Sequence, residues 1–497
     1  MQYILSMSNN LYKKAINGIA WTTFQSIGVQ ISSLVIFLVL ARLLAPEDFG
    51  LVAMANVSIA FFGLLTADSL SAAIIQREHL DKEHYDSVFW LNTFLGLLVG
   101  ICVYLSSEYI AHFYKQPELE RIIDVLIICL ICRSFSSVQI SILRRELNFR
   151  SLAIRTLVGQ PIGGIVGITL AFKGFGVWSL VIREVIVSLI QLILVWISSD
   201  WRPGLRLSFR HLRELLSFGI SMMGAGWVSF LNKRLDNFLI GYALGAIALG
   251  YYTVAKRLIT ILTEFLSSSI NKVAWPIFAR MKTDHEKLKH AFYQSTQLKN
   301  LVVFPVFLGV SAVAPELVLS VFGDKWQPSI LLMQGLAILG LLKSILSYQE
   351  NLMVALGQAG WRLALQFTMA IANVIAFIIA VEWGILAIII SYIAVAVTLS
   401  PLWTFGVYRC ANIEITTYLS QYVASFVGSV AMVTAIYALR HYLGDLVSHH
   451  VVLIVSIILG VLVYVFSIRC LYPIPYKFVL TTLSSIMPRR KKSSTLN

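Results

Sequence analysis

Apolar runs of bilayer length alternate with short polar segments along almost the whole chain. A run of about 20 apolar residues can cross the hydrocarbon core as a helix, and a sliding window of about 19 residues finds such runs. The predicted spans are 18–43, 50–75, 87–112, 121–143, 151–172, 175–198, 216–242, 250–275, 298–322, 328–356, 361–381, 384–407, 418–440 and 450–471. The pattern predicts an all-α polytopic membrane protein with about 14 transmembrane helices, joined by connections too short for an independent domain.

Composition agrees with this fold class. Of the 497 residues, 58% are hydrophobic and 13% are charged, against roughly 25% charged in a soluble domain. The net charge of +14 lies in short loops and inside the apolar runs. It forms no basic stripe with interleaved aromatics, so we exclude a nucleic-acid partner. Cys129 and Cys132 form a single CxxC inside a helix pattern, which is typical of helix packing, and we expect neither a metal nor a cofactor.

Lysine and arginine are concentrated in every second loop, and this bias sets the orientation of a membrane protein. The basic set of loops and the tail contain Lys13, Lys14, Arg77, Lys82, Arg144, Arg145, Arg150, Arg202, Arg206, Arg210, Arg213, Arg280, Lys282, Lys287, Lys289 and the tail residues 489–492. Both termini are therefore predicted to be cytoplasmic.

A faint internal repeat appears when the chain is shifted by 200 residues. The shift places Leu40 over Ile240 and matches Gly50 with Gly250. Six predicted spans separate the copies, so both insert in the same orientation, as in transporters whose halves are related by an axis along the membrane normal. The predicted domains are two six-helix lobes at 1–200 and 216–410, an interfacial linker helix at 201–215, an appendage of two helices at 411–471 and a basic cytoplasmic tail at 472–497.

Charged residues inside the apolar stretch Phe218–Pro276 indicate where function lies. A helical hairpin turning near residues 245 and 246 would place Asp236 opposite Lys256, and Arg234 opposite Arg257. Asp236 can neutralise one neighbour, and we expect a structural ion pair with Lys256. Charges at this membrane depth should face a protein interior or a wet cavity, because facing lipid is costly.

The remaining charge is positive and favours a cavity wall that binds an anion. A purely structural cluster that locks two helices is the alternative. The candidate substrate-binding residues are Lys233, Arg234 and Arg257, with Arg133, Arg183 and Lys343 as weaker candidates. No GxxxxGK[ST] motif is present, so an ion gradient or the membrane potential would drive transport, with Asp68, Asp236, Glu264 and Glu350 as candidate coupling-ion sites.

Several segments resemble the polysaccharide transporter branch of the MOP exporter superfamily, of the colanic acid exporter and O-antigen flippase type. They are ARLLAPEDFGLVAMA (41–55), SAAIIQRE (71–78), LDNFLIGYALGAIALGYYTVAKRL (235–258), VFGDKW (321–326) and the start at Met7. The resemblance implies translocation of undecaprenyl-pyrophosphate-linked oligosaccharide across the bacterial inner membrane, with a polymerase of the same pathway as an expected partner.

Two other classes of protein fit the sequence less well than an exporter does. A membrane polymerase or ligase needs catalytic groups on the outer face, but the outer loops have only about 5 to 10 residues. Their one acidic pair, Glu47 and Asp48, fits turn chemistry better than catalysis, so we expect no enzyme. A MATE-like antiporter of organic cations would need carboxylates in its cavity, whereas the predicted cavity is net positive.

Overall fold

The computed structural model describes residues 2–66, 68–77, 80–281, 284–443 and 447–471. Within these ranges the regular structure is helical, and no strand occurs. The helices are α1 (Gln2–Leu43), α2 (Pro46–Gly63), α3 (Asp68–Gln76), α4 (Lys82–Phe113), α5 (Glu118–Arg145), α6 (Phe149–Phe172), α7 (Trp178–Ser198), α8 (Phe209–Met281), α9 (His285–Leu317), α10 (Ser329–Ala355), α11 (Ala359–Ala380), α12 (Ile385–Ala411), α13 (Ile415–Leu443) and α14 (His449–Leu471). A π-helical turn (Val318–Phe322) and two 3₁₀ turns (Asp324–Trp326 and Val381–Trp383) complete them.

Twelve helical segments of the described chain are long and apolar enough to cross a membrane, which confirms the predicted fold class. The predicted span 50–75 is not one helix, because α2 ends at Gly63 and α3 begins at Asp68. Helix α8 is interrupted at Gly245, whose φ of 82° and ψ of −179° are not helical. The predicted spans 216–242 and 250–275 correspond to the two arms of α8.

Within the first unit, α8 folds back at Gly245. The hydroxyl of Tyr252 donates to Asp236 Oδ2 at 2.7 Å, although 16 residues of straight helix would separate these positions by about 24 Å. Glycine suits the turn because it adopts a positive φ without steric cost. This contact confirms the hairpin. It also adds a contact of Asp236 nearer the turn than the predicted pairing with Lys256, which stays a prediction.

The predicted linker helix at 201–215 is only partly helical, since α8 begins at Phe209. The preceding segment contains Pro203, which has no backbone N–H and biases the residue before it towards an extended conformation. This segment is held against α4, where the indole N–H of Trp90 donates to the carbonyl of Gly204 at 2.8 Å. The sequence prediction was therefore wrong for residues 201–208, and the interfacial position stays a prediction.

The chain divides into two compact units, and each has its own buried core. The first unit comprises Met1–Val254 with Phe377–Ala387, and the second comprises Ala255–Ala376 with Ile388–Asn497. A core of the first unit surrounds Phe89, which is 2% exposed. A core of the second surrounds Phe292, whose ring stacks on those of Tyr348 and Tyr418. The predicted lobe boundaries stay a prediction, because packing alone defines these units.

Two glycines of the first unit make equivalent close contacts. A Cβ on Gly50 would lie 1.8 Å from the carbonyl oxygen of Ala246, and a Cβ on Gly250 would lie 1.8 Å from the carbonyl oxygen of Pro46. A shift of 200 residues converts one contact into the other. Such an exchange is what a two-fold axis produces, because each partner then offers the same patch. The contact therefore supports the internal repeat at this place. We call it the glycine crossing.

Candidate functional site

A polar cavity of about 460 Å³ lies in the first unit between α2, α5, α6, α7 and the first arm of α8. Its described lining comprises Asn56, Ile59, Ala60, Gly63, Thr66, Cys129, Leu130, Cys132, Arg133, Ser134, Ser136, Ile140, Arg155, Ser188, Gln191 and Arg234. Three guanidinium groups therefore reach the same cavity from three helices, accompanied by hydroxyls and amides. We call it the arginine cavity.

The electrostatics of the arginine cavity favour an anion. None of the described lining residues carries a carboxylate. Arg155 is half-buried on α6, and its Nε has no hydrogen-bond partner among the described residues. A buried guanidinium N–H without an acceptor is costly, and phosphate or carboxylate oxygens would satisfy it bidentately. The sequence predicted Arg133 and Arg234 as candidates, and the structure brings both to this cavity.

One carboxylate lies close by without lining the cavity. Glu184 on α7 accepts a hydrogen bond from Asn56 Nδ2 at 3.2 Å, and its charge interacts with those of Arg183 and Arg234. Arg183 itself donates from Nη2 to Gln160 Oε1 at 3.1 Å and is not among the described lining residues. Arginines still outnumber carboxylates here, so the region stays net positive.

Asp236 is buried in the first arm of α8 and accepts two hydrogen bonds. It is 4% exposed and accepts from the Tyr252 hydroxyl at 2.7 Å and from the backbone N–H of Asn237 at 2.8 Å. Lys233 is exposed on the same arm of α8. The predicted partner Lys256 belongs to the second unit, so its ion pair with Asp236 stays a prediction.

The other predicted residues lie in the second unit or outside the described side chains. Lys343 Nζ donates to the Tyr392 hydroxyl at 2.9 Å. Glu350 accepts from Gln366 at 3.3 Å and lies 3.7 Å from Arg362 Nε. Arg257 and Glu264 are exposed residues of the second unit, and the side chain of Asp68 lies outside the described part. The coupling-ion roles, like the substrate role of Arg257, stay predictions.

Sequence reasoning overlooked two basic residues inside predicted spans. Arg155 lies four residues into the span 151–172, where hydropathy averages hid it. Lys299 lies at the start of the span 298–322 and is only 4% exposed. Its Nζ donates to the carbonyl of Ser344 and lies 4.7 Å from the centre of the Tyr348 ring. Inspecting every charge within a span, rather than those in the hairpin first, would have found both.

A second titratable cluster joins α4 to the start of α8. Asp81, His84 and His211 offer ligand atoms within 4.8 Å of one another. However, Nδ1 of His84 accepts the backbone N–H of Asp81 at 3.1 Å, which places the proton of the neutral ring on Nε2, 3.5 Å from Glu214. A metal-bound Nε2 needs the opposite tautomer, with Nδ1 donating. The arrangement therefore favours hydrogen bonds and ion pairs, and the Arg77 guanidinium lowers the pKa of Glu214 by donating to it.

The fold belongs to a known class of membrane transporter. The chain is similar to the lipid II flippase MurJ in an inward closed conformation, with a TM-score of 0.73 and 13% identity over 92% of this chain and 99% of that one. It is also similar to a multidrug resistance MATE transporter of the MOP superfamily in an inward-facing conformation, with a TM-score of 0.59, 18% identity and coverage of 77% and 96%. At such identities, the likeness concerns the fold alone.

Sequence comparison then gives the family. The family model described as "Polysaccharide biosynthesis protein" matches residues 39–331, more than half of the chain, and the chain belongs to this family. It is 25% identical over 417 residues to the teichuronic acid biosynthesis protein TuaB of Bacillus subtilis (strain 168), covering 83% of this chain and 84% of TuaB. It is 27% identical over 342 residues to the lipopolysaccharide biosynthesis protein WzxC of Escherichia coli (strain K12), covering 68% and 69%.

A third relative is named as a transport protein. The succinoglycan biosynthesis transport protein ExoT of Rhizobium meliloti (strain 1021) is 27% identical over 314 residues, and the match covers 63% of this chain and 64% of ExoT, a little under two thirds of that protein. Family and fold together confirm the predicted membership of the polysaccharide exporter branch.

Proposed function

We propose that this protein moves undecaprenyl-pyrophosphate-linked oligosaccharide units from the cytoplasmic to the outer leaflet of the bacterial cytoplasmic membrane, for assembly of a surface polysaccharide. The pyrophosphate, or an acidic sugar beside it, binds in the arginine cavity. Both termini are cytoplasmic in this proposal, and a polymerase of the same pathway receives the product. An ion gradient or the membrane potential drives the cycle, since no nucleotide-binding motif is present.

The observation that carries this proposal is the convergence of Arg133, Arg155 and Arg234 on one cavity whose described lining has no carboxylate. The planar guanidinium group of arginine can donate two hydrogen bonds at once to the oxygens of a phosphate or carboxylate. Intramembrane charges that face a cavity mark substrate or ion pathways by default. Serine, asparagine and glutamine side chains of the same lining can hydrogen-bond sugar hydroxyls, which suits a ligand that is anionic at one end and polar at the other.

The alternatives from the sequence are less well supported. A MATE-like antiporter of organic cations would need acidic lining residues, and the described lining is cationic. A polymerase or ligase would need catalytic groups in an outer loop. The acidic pair Glu47 and Asp48 instead lies in the first turn of α2, where Asp48 Oδ2 accepts the backbone N–H of Ala45 at 2.8 Å. Transport of an anion, without catalysis, fits these features best.

Complementation of bacterial strains that each lack one lipid-linked-oligosaccharide flippase tests the proposal. We expect one strain to regain its surface polymer and to clear the accumulated undecaprenyl-linked intermediate. Failure in every strain, despite correct membrane insertion, combined with efflux of an organic cation would favour the antiporter instead.

Variants of one arginine then test the cavity itself. Arg133→Gln should reduce transport by at least roughly tenfold, because one charge-assisted interaction with a phosphate contributes about 1.5–3 kcal/mol. Arg121→Gln is the matched control, since Arg121 is exposed and lies on the same helix α5. Protein abundance is measured alongside transport. Equal transport by both variants would refute the cavity, and loss of the protein in Arg133→Gln would assign that residue a structural role.

A further inference from the structure

A second, apolar groove lies in the first unit, where α7 ends. It has a volume of about 450 Å³ and is lined by Phe135, Leu192, Ile193, Trp196, Ile197 and Arg202. Five of these six side chains are apolar or aromatic, and Ile193 and Ile197 are 56% and 70% exposed. An open groove of this composition, at the end of a membrane-spanning helix, fits a hydrocarbon chain from the surrounding bilayer better than it fits water.

One end of the groove carries a fixed cation. The guanidinium carbon of Arg202 lies 5.8 Å from the centre of the Trp196 ring, and Nη1 donates to the carbonyls of Ser199 and Trp201 at 2.5 and 2.9 Å. The ring beneath it is held in turn, because the indole N–H of Trp196 donates to the carbonyl of Phe135 at 3.1 Å. No carboxylate of the described chain forms an ion pair with Arg202.

The groove is separate from the arginine cavity, although both use α5 and α7. Ser134 and Ser136 line the cavity and Phe135 lines the groove; successive residues of a helix point about 100° apart. On α7, Gln191 lines the cavity and Trp196 lines the groove. A molecule in the groove therefore occupies a different face of this helix pair and leaves the cavity open.

We propose that the groove binds one anionic phospholipid, with an acyl chain along the apolar wall and its phosphate on Arg202. Charge complementarity selects this occupant, since an arginine held by two carbonyls above a tryptophan ring presents its remaining N–H groups to a phosphate. The chain that follows Arg202 also exposes apolar side chains, since Leu205 and Phe209 are 92% and 77% exposed. Basic and apolar residues at one level are typical of lipid-headgroup contacts. The bias of basic residues predicts that this level is the cytoplasmic leaflet.

Fluorescence quenching tests the site without reference to transport. The full chain is reconstituted in phosphatidylcholine vesicles that contain a small fraction of phosphatidylglycerol with brominated acyl chains. The Trp196 signal is the difference between the wild type and Trp196→Phe. We expect brominated phosphatidylglycerol to quench this signal more than brominated phosphatidylcholine does at the same fraction. Arg202→Gln should reduce that preference about fivefold, the effect of removing one cationic contact with a lipid headgroup.

Arg210→Gln is the matched control, since Arg210 lies eight residues later in the first turn of α8 and its side chain is 86% exposed, 3.7 Å from Glu214. It should leave the preference unchanged. Equal losses in the two arginine variants would show general surface attraction and overturn the site, as would equal quenching by the two lipids. Displacement of phosphatidylglycerol by a polyprenyl phosphate would instead assign the groove to the substrate's chain. If Trp196→Phe does not fold, native mass spectrometry of phosphatidylglycerol retained by the wild type and by Arg202→Gln decides the same question.

Discussion

Replacing Gly50 by alanine should open the glycine crossing. The new Cβ would lie 1.8 Å from the oxygen, 2.5 Å from the carbon and 2.9 Å from the Cα of Ala246. All three are backbone atoms, so no flexible side chain can yield. The distance to the oxygen has to exceed 3.0 Å, since shorter contacts of a Cβ essentially never occur. A buried methyl that forces a backbone shift costs about 1–3 kcal/mol, which corresponds to roughly a 5- to 150-fold change in population.

Thiol labelling measures this opening. Leu249 is fully buried beside the crossing, so a cysteine placed there, in a chain without its five native cysteines, is labelled only when the contact separates. Gly50→Ala should accelerate labelling roughly 5- to 150-fold, in line with the change in population. Gly250→Ala should do the same, because its Cβ would lie equally close to the carbonyl oxygen of Pro46.

Gly224→Ala is the control for the glycine crossing, since a Cβ there meets nothing within 4 Å. It also corrects for the helix propensity of alanine, which exceeds that of glycine by about 1 kcal/mol. Unchanged labelling in Gly50→Ala would refute the close contact. A large effect at Gly50 with none at Gly250 would refute the equivalence of the two repeats.

Two further predictions concern Lys299 and Glu214. Lys299→Met should leave the thermal unfolding midpoint unchanged or raise it, because an apolar side chain removes the cost of a buried ammonium that has a carbonyl and a ring as neighbours; a clear fall would show that the ammonium is needed for packing. The pKa of Glu214 is lowered chiefly by the hydrogen bond from Arg77. Its contribution to stability is present above the ordinary pKa of 4.5 and is lost as the pH falls through the lowered value. Hydrogen exchange at residues 209–214 should therefore be faster in Glu214→Gln than in the wild type at pH 7, and the difference should vanish in acid; a difference that persists in acid would contradict the pairing.

Hydropathy and the charge pattern predicted the helical class, the hairpin of α8 and two of the cavity arginines. These features depend on local composition and on helix period, which a single sequence carries. The hydrogen bond from Tyr252 to Asp236 was not predicted, because the geometry of the turn at Gly245 decides which residues of the second arm reach this carboxylate. The start of α8 was missed for a different reason. The spacing of arginines and leucines over 201–215 favours a helix, whereas Pro203 and Gly204 disfavour helix locally.

Arg155 shows a second limit of the sequence. A charge inside a span indicates function, but hydropathy does not reveal which cavity it faces, since this depends on how α6 packs against its neighbours. The structure places it with Arg133 and Arg234, which lie on α5 and α8. Convergence of this kind arises from tertiary packing alone.

The hydrogen bond between Tyr252 and Asp236 also bears on how the chain enters the bilayer during synthesis. An ionised carboxylate makes the insertion of a single helix unfavourable. Tyr252, whose hydroxyl donates to Asp236, is synthesised 16 residues after it, in the other arm of the same hairpin. The first arm alone would carry this carboxylate into the bilayer without the hydroxyl donor of Tyr252, whereas the two arms together bring the acceptor and this donor. Insertion of the two arms as one hairpin is therefore more favourable than insertion of the first arm alone.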